Sequence, residues 1–98
     1  MSTTEQYATA WRPFVGDALQ GEVVSIDWRE NEHGRYQIAT IEVRTGEHVA
    51  IHAFGKILRE AVAGWTVGDI VKVTYRGRIK GGKFSYHKYE VERTEVAS

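Results

Sequence analysis

Residues 70–80 alternate in character. Val71, Val73, Tyr75 and Ile79 fall on one phase, and Lys72, Thr74, Arg76, Arg78 and Lys80 on the other. A period of two sends successive side chains to opposite faces, so this stretch predicts a strand with one buried and one wet face. Phe84–Arg93 predicts a second such strand. Earlier apolar runs predict three more, about Gly21–Trp28, Tyr36–Arg44 and His48–Phe54. Polar, glycine-containing segments separate them: RENEHGR at 29–35 and Thr45-Gly46-Glu47. Between the third and fourth strands the period changes. In GKILREAVAG (55–64), Ile57, Leu58, Ala61 and Val62 make one stripe while Lys56, Arg59 and Glu60 point elsewhere. That spacing predicts a short helix, with Gly64 placed to stop it.

The order is three strands, a helix and two strands. It predicts an all-β domain, a five-stranded OB-fold barrel with one short helix between strands 3 and 4. A five-stranded SH3-like barrel is the rival, and it normally lacks that helix. The expected organisation is a flexible N-terminal segment at 1–14, with Trp11, Pro13 and Phe14 packing where it enters the domain, one domain over 15–94, and a short tail at 95–98. Trp28 and Trp65 are expected in the core or closing the barrel.

Hairpin register decides which side chains share a face, because a slip of one residue exchanges the two faces. A three-residue Gly81-Gly82-Lys83 loop pairs Lys80 with Phe84 and sets Val73 beside Val91 and Tyr75 beside Tyr89, the last two pairs apolar against apolar. Tyr75, Ile79 and Tyr89 then face the core. Phe84, Tyr86 and Lys88 share the wet face with Lys72, Arg76, Arg78 and Lys80. A three-residue Thr45-Gly46-Glu47 loop likewise aligns Val43 with Val49, Ile41 with Ile51 and Ala39 with Ala53. It leaves Tyr36, Ile38, Thr40, Arg44, His48, His52 and Phe54 outside.

Charge sharpens this picture. The chain carries 13 Lys and Arg against 13 Asp and Glu, a formal net charge of zero. Yet residues 72–88 hold Lys72, Arg76, Arg78, Lys80, Lys83 and Lys88 with no acid, so the segregation matters more than the sum. Rings interleaved with cations suit a single strand of nucleic acid, whose bases stack while its phosphates meet the charges. Other chemistries find little footing. His48 and His52 lie four residues apart along one strand, ~13 Å, too far to share an ion held by bonds of about 2 Å. No nucleophile elbow, phosphate loop or carboxylate pair stands out, so no enzyme and no cofactor is expected. The acidic stretch Asp27–Glu32 is expected to repel phosphate or to meet a protein. The absence of cysteine, of a signal-like start and of a ~20-residue apolar run predicts a cytoplasmic protein with no membrane partner.

The run HVAIHAFGKILREAVAGWTVGDIVKVTYRGRI (48–79) resembles the bacterial single-stranded DNA-binding protein family. The likeness rests on Phe54-Gly55-Lys56, the helix pattern of Ile57–Ala63, Gly68-Asp69-Ile70-Val71 and Gly77-Arg78. The resemblance implies an OB-fold that binds single-stranded DNA by stacking, in replication, recombination or repair. It implies a stacking role for Phe54, and for Phe84 near a position where the family often carries tryptophan. His48 stands where the family has another tryptophan. The second-strand tryptophan has no counterpart, nor has the acidic, phenylalanine-ending tip in ERTEVAS. These departures suit a minimal, phage-encoded relative. The expected binding set is Tyr36, Arg44, His48, His52, Phe54, Lys56, Lys72, Arg76, Arg78, Lys80, Lys83, Phe84, Tyr86 and Lys88. The expected partners are single-stranded DNA, with RNA as the alternative, and further copies of the chain. The rival function is a protein-interaction module on the same fold.

Overall fold

The computed structural model describes residues 8–94. The elements are β1 (Thr9–Ala10), β2 (Ala18–Asn31), β3 (Gly34–Glu42), β4 (His48–His52), α1 (Lys56–Ala63), β5 (Ile70–Gly81) and β6 (Phe84–Thr94). All six strands form one sheet in the order β1-β4-β3-β2-β5-β6. The sheet curls into a half-barrel around a core of Leu19, Val23, Ala39, Ile41, Ile51, Leu58, Val62, Trp65, Val71 and Val73. No helix among the described residues is long and apolar enough to cross a membrane.

The curl is built into β2. Ala18–Glu22 pair with β5 and Glu22–Asn31 with β3, so one long strand serves both halves of the sheet. A bulge between Val23 and Ser25 follows just past the β5-paired stretch, inside the β3 pairing. Such an extra residue bends a strand and increases its local twist. Helix α1 packs against both β3 and β6, turning Leu58 and Val62 into the core. Gly64 ends it as expected, though in the right-handed region, with its N–H bonded to the carbonyl of Ala61. The following turn is held by Asp69. Its buried carboxylate accepts the Thr66 N–H at 2.9 Å, and its backbone carbonyl accepts the Val23 N–H at 2.8 Å. The Gly68-Asp69 motif thus ties the helix exit to β2.

The first predicted strand is longer than expected at both ends. The polar stretch 29–35 is mostly strand, leaving a connection of only Glu32-His33. Near the N-terminus, Thr9 and Ala10 pair in parallel with Val49 and Ala50 of β4, and the Trp11 N–H bonds to the Ala50 carbonyl at 2.9 Å. Two residues are too few to show periodicity, which is why β1 has no signature in the sequence. Trp11 packs partly against the core, but Phe14, expected to pack with it, is 80% exposed. Residues 1–7 of the N-terminal segment and the tail 95–98 lie outside the described residues.

Both hairpin registers differ from expectation. The β5–β6 turn is two residues, Gly82-Lys83, and pairs Gly81 with Phe84 and Lys80 with Ser85. Gly82 has φ 64°, and among the described residues only glycines have positive φ, which suits a tight turn with glycine at its first central position. The register is restored further down by a bulge at Arg76, beside Gly77 at φ 95°. Val73↔Val91 and Tyr75↔Tyr89 are therefore paired as expected, yet everything beyond the bulge is displaced by one. In the β3–β4 hairpin the connection is 43–47, closed by the Val43 N–H to the Glu47 carbonyl at 3.0 Å. Ile41 pairs with Val49 and Ala39 with Ile51, a shift of two from the expected register. A shift of two leaves every side chain on its expected face.

Candidate nucleic-acid interface

On the face of β3 and β4 turned from the core, Tyr36, His52 and Phe54 form one ring cluster. Centroid separations are 4.6 Å for Tyr36–Phe54, 5.9 Å for His52–Phe54 and 6.2 Å for Tyr36–His52. The pairing Ile38↔His52 places Tyr36 two residues along the same face from Ile38. The Ala53 N–H still bonds to the Gln37 carbonyl, at 2.9 Å, so β4 holds its course long enough to deliver Phe54 beside His52. Phe54 is 53% exposed. A half-exposed ring held against two others keeps part of its surface open to solvent.

Cations flank the cluster. Partial burial first, then the charges of Arg12 and Arg29, hold the His52 pKa below its ordinary value. A trough of about 650 Å³ runs along this face past Tyr36, Ile38, Thr40 and His48, with Arg29 in its wall and Asp27 as the one carboxylate among the described lining residues. Arg12 and Arg29 are binding candidates that sequence reading missed. Arg29 lay in what read as a loop, and Arg12 is brought to the site by β1, which leaves no signal.

The remaining expected residues are dispersed. His48 sits at the far end of the trough, 3.5 Å from Glu42. Arg44 lies in the 43–47 connection beyond that end. Lys56 opens α1, next in the chain after Phe54-Gly55. Lys72 and Arg76 do lie on the wet side of β5, but β6 brings acids against them. Lys72 pairs with Glu92, and Arg76 forms a 2.7 Å ion pair with Glu90. That hydrogen bond holds the Glu90 carboxyl below its ordinary range. The acid-free run of residues 72–88 is thus partly neutralised by carboxylates that follow it in sequence and fold back beside it.

Beyond the bulge the expected grouping of rings and cations separates. Arg78 pairs with His87 and Lys80 with Ser85, on the phase of Tyr75 and Tyr89. The Tyr75 hydroxyl lies 2.6 Å from His87 Nδ1, which fixes that side. Phe84, Tyr86 and Lys88 occupy the other phase, with Ile79 paired to Tyr86. Ile79 is therefore not a core partner of Tyr75, and Phe84 and Tyr86 do not stand beside Arg78 and Lys80. The extra residue at Arg76 causes the exchange. Lys83 stands in the turn itself. Trp28, expected in the core or closing the barrel, is 56% exposed under the Arg35 guanidinium, 4.6 Å from the ring centroid. Its strand runs past the core before turning at Glu32-His33. Trp65 is buried as expected.

A second concavity lies where the curled sheet stops. β1 and β6 are the two ends of the sheet order. Between the β1–β4 edge and β6 runs a cleft of about 960 Å³, lined by Ala10–Arg12, Ile51, His52, Phe54–Leu58, Ser85–His87 and Tyr89. Trp11 spans it to Tyr89, with ring centroids 6.1 Å apart. His52 lines both this cleft and the outer trough. No protein-family model, no curated protein and no solved structure gives a significant match to the chain.

Proposed function

We propose that the protein is an OB-type domain that binds single-stranded DNA without sequence preference. One observation carries the reading: the Tyr36–His52–Phe54 cluster is a partly exposed ring platform with the Arg12 and Arg29 charges close by. Bases stack on such rings whatever their identity, and cations follow the phosphates. The curled half-barrel, with its helix between β4 and β5, and the likeness of residues 48–79 to single-stranded DNA-binding proteins support the same assignment. In this reading the strand crosses β3 and β4 along the outer trough and leaves over Phe54 toward Lys56.

The test is a fluorescence-anisotropy titration of labelled oligo-dT at low and moderate salt. Binding at micromolar protein that weakens with salt is expected, because phosphate contacts release counterions. No binding at either salt refutes the proposal. An oligo-U titration in parallel reads the preference between DNA and RNA, since a stacking platform does not itself sense the 2′-hydroxyl.

A protein-interaction module is the second reading. It is favoured by one surface: the outer phase of the β5–β6 arm, where Ile79 pairs with Tyr86 and Phe84 is 79% exposed. Phe84→Ala then alters oligomer mass or partner capture and leaves oligo-dT affinity unchanged.

A further inference from the structure

We propose that the cleft between β6 and the β1–β4 edge is a nucleotide pocket that takes in one base of the bound strand. The inference rests on the strand-binding reading above and locates a second subsite for it. Three observations carry it. First, the cleft is of ligand size: about 960 Å³ falls within the usual range of small-molecule sites, ~300–1,000 Å³. Second, its lining is selective. Trp11, Phe54, Tyr86 and Tyr89 supply rings, Arg12 and Lys56 supply fixed positive charge, and none of the described residues that line it is Asp or Glu, in a chain with 13 acids. A planar ring bearing an anionic group, which is a nucleotide, complements that set. Third, the cleft continues the outer trough, because His52 lines both and Phe54 packs on His52 and Tyr36. A strand stacked on the outer cluster therefore passes the cleft mouth.

The geometry follows from the unfinished sheet. In a closed barrel, strands would fill this gap. Here Trp11 and α1 bridge it instead, leaving an aromatic slot with β6, last in the order of the described strands, along one wall. A base in the slot stacks near Trp11 and Tyr89, and Ser85 and His87 offer hydrogen bonds at its edge.

The test uses ¹⁵N-labelled protein, whose three indole N–H signals report on Trp11, Trp28 and Trp65 separately. Thymidine 5′-monophosphate at millimolar concentration is expected to shift the Trp11 signal and leave that of buried Trp65 in place. Ser85→Glu puts a carboxylate among the lining rings and cations from an exposed edge position that the fold tolerates. It is expected to abolish the Trp11 shift and to weaken oligo-dT about fivefold or more, the loss of one stacked base. If oligo-dT binds by anisotropy while the Trp11 signal stays fixed and Ser85→Glu binds like the parent, the pocket is refuted and the outer-face reading stands. If oligo-dT does not bind at all, the strand-binding reading falls. The mononucleotide then decides: a Trp11 shift removed by Ser85→Glu keeps the pocket, and an absent or Ser85→Glu-insensitive shift refutes it. An extended peptide pairing on the outer β6 edge, without any mononucleotide response, also refutes it.

Discussion

Phe54→Ala separates a stacking platform from a decorative ring. Phe54 is 53% exposed, so only about half of its surface supports the fold. An aromatic side chain buries ~150–250 Å² when fully covered. Half of that is roughly 100 Å², or about 2–3 kcal/mol at ~25 cal/mol/Å², an upper bound because unfolded chains also cover apolar surface. A domain with about 5–15 kcal/mol of stability tolerates that loss. The variant therefore stays folded, which circular dichroism and a thermal scan verify. Binding should suffer more visibly. One stacked base contributes ~1–3 kcal/mol, so the oligo-dT Kd should rise roughly 5- to 150-fold. Phe54→Leu keeps apolar volume without a π face, and should show most of the same loss. An anisotropy titration of both variants decides the matter. If folded Phe54→Ala binds within twofold of the parent, the base does not stack there, and the platform built on Tyr36, His52 and Phe54 is not the interface.

Three further outcomes follow from the geometry. Reversing Arg12 or Arg29 to Glu should weaken oligo-dT and flatten its salt dependence more than reversing Lys72 or Arg76, whose charges already face Glu92 and Glu90; salt titrations of the four variants rank them. His52 has its pKa lowered below 6.5 by burial, Arg12 and Arg29, so the unfolded chain binds more protons. Its contribution to stability is full above that value and is lost as pH falls through the lowered folded pKa. Phosphates laid beside it favour the protonated ring, so oligo-dT affinity should rise as pH drops below about 6.5, and His52→Gln should flatten that slope. Gly77→Ala should destabilise the fold by about 1–3 kcal/mol, the cost of an L residue held at positive φ. The new Cβ would also come within 3.1 Å of Val15 Cγ2, and a lowered thermal midpoint reads the effect.

The charge pattern is where sequence distance and spatial distance part. Read along the chain, Lys72 to Lys88 is a basic run with no acid. Read across the antiparallel ladder, Glu90 and Glu92 come to rest opposite Thr74 and Lys72. A hairpin brings together residues whose numbers have a nearly constant sum, so the chain just past a basic strand supplies its counterions. This moves the electrostatic weight of the candidate site from the β5–β6 arm toward Arg12 and Arg29.

The chain's own periodicities determined the five long strands, the helix and the buried phases of β3, β4 and lower β5, because alternation and helical spacing are local properties that burial enforces. They also determined the outer position of Tyr36, His52 and Phe54, since parity along a strand survives a register shift of two. Tertiary structure alone decided the rest. The single extra residue at Arg76 exchanged the faces of the arm, and no local pattern distinguishes a bulge from a longer turn when both deliver Val73 to Val91. β1 exists only because β4 offers an unpaired edge, and with it came Arg12 and Trp11. The cleft at the open end of the sheet depends on where the two edges stop short of each other, which is a distance between strands and not a property of either one.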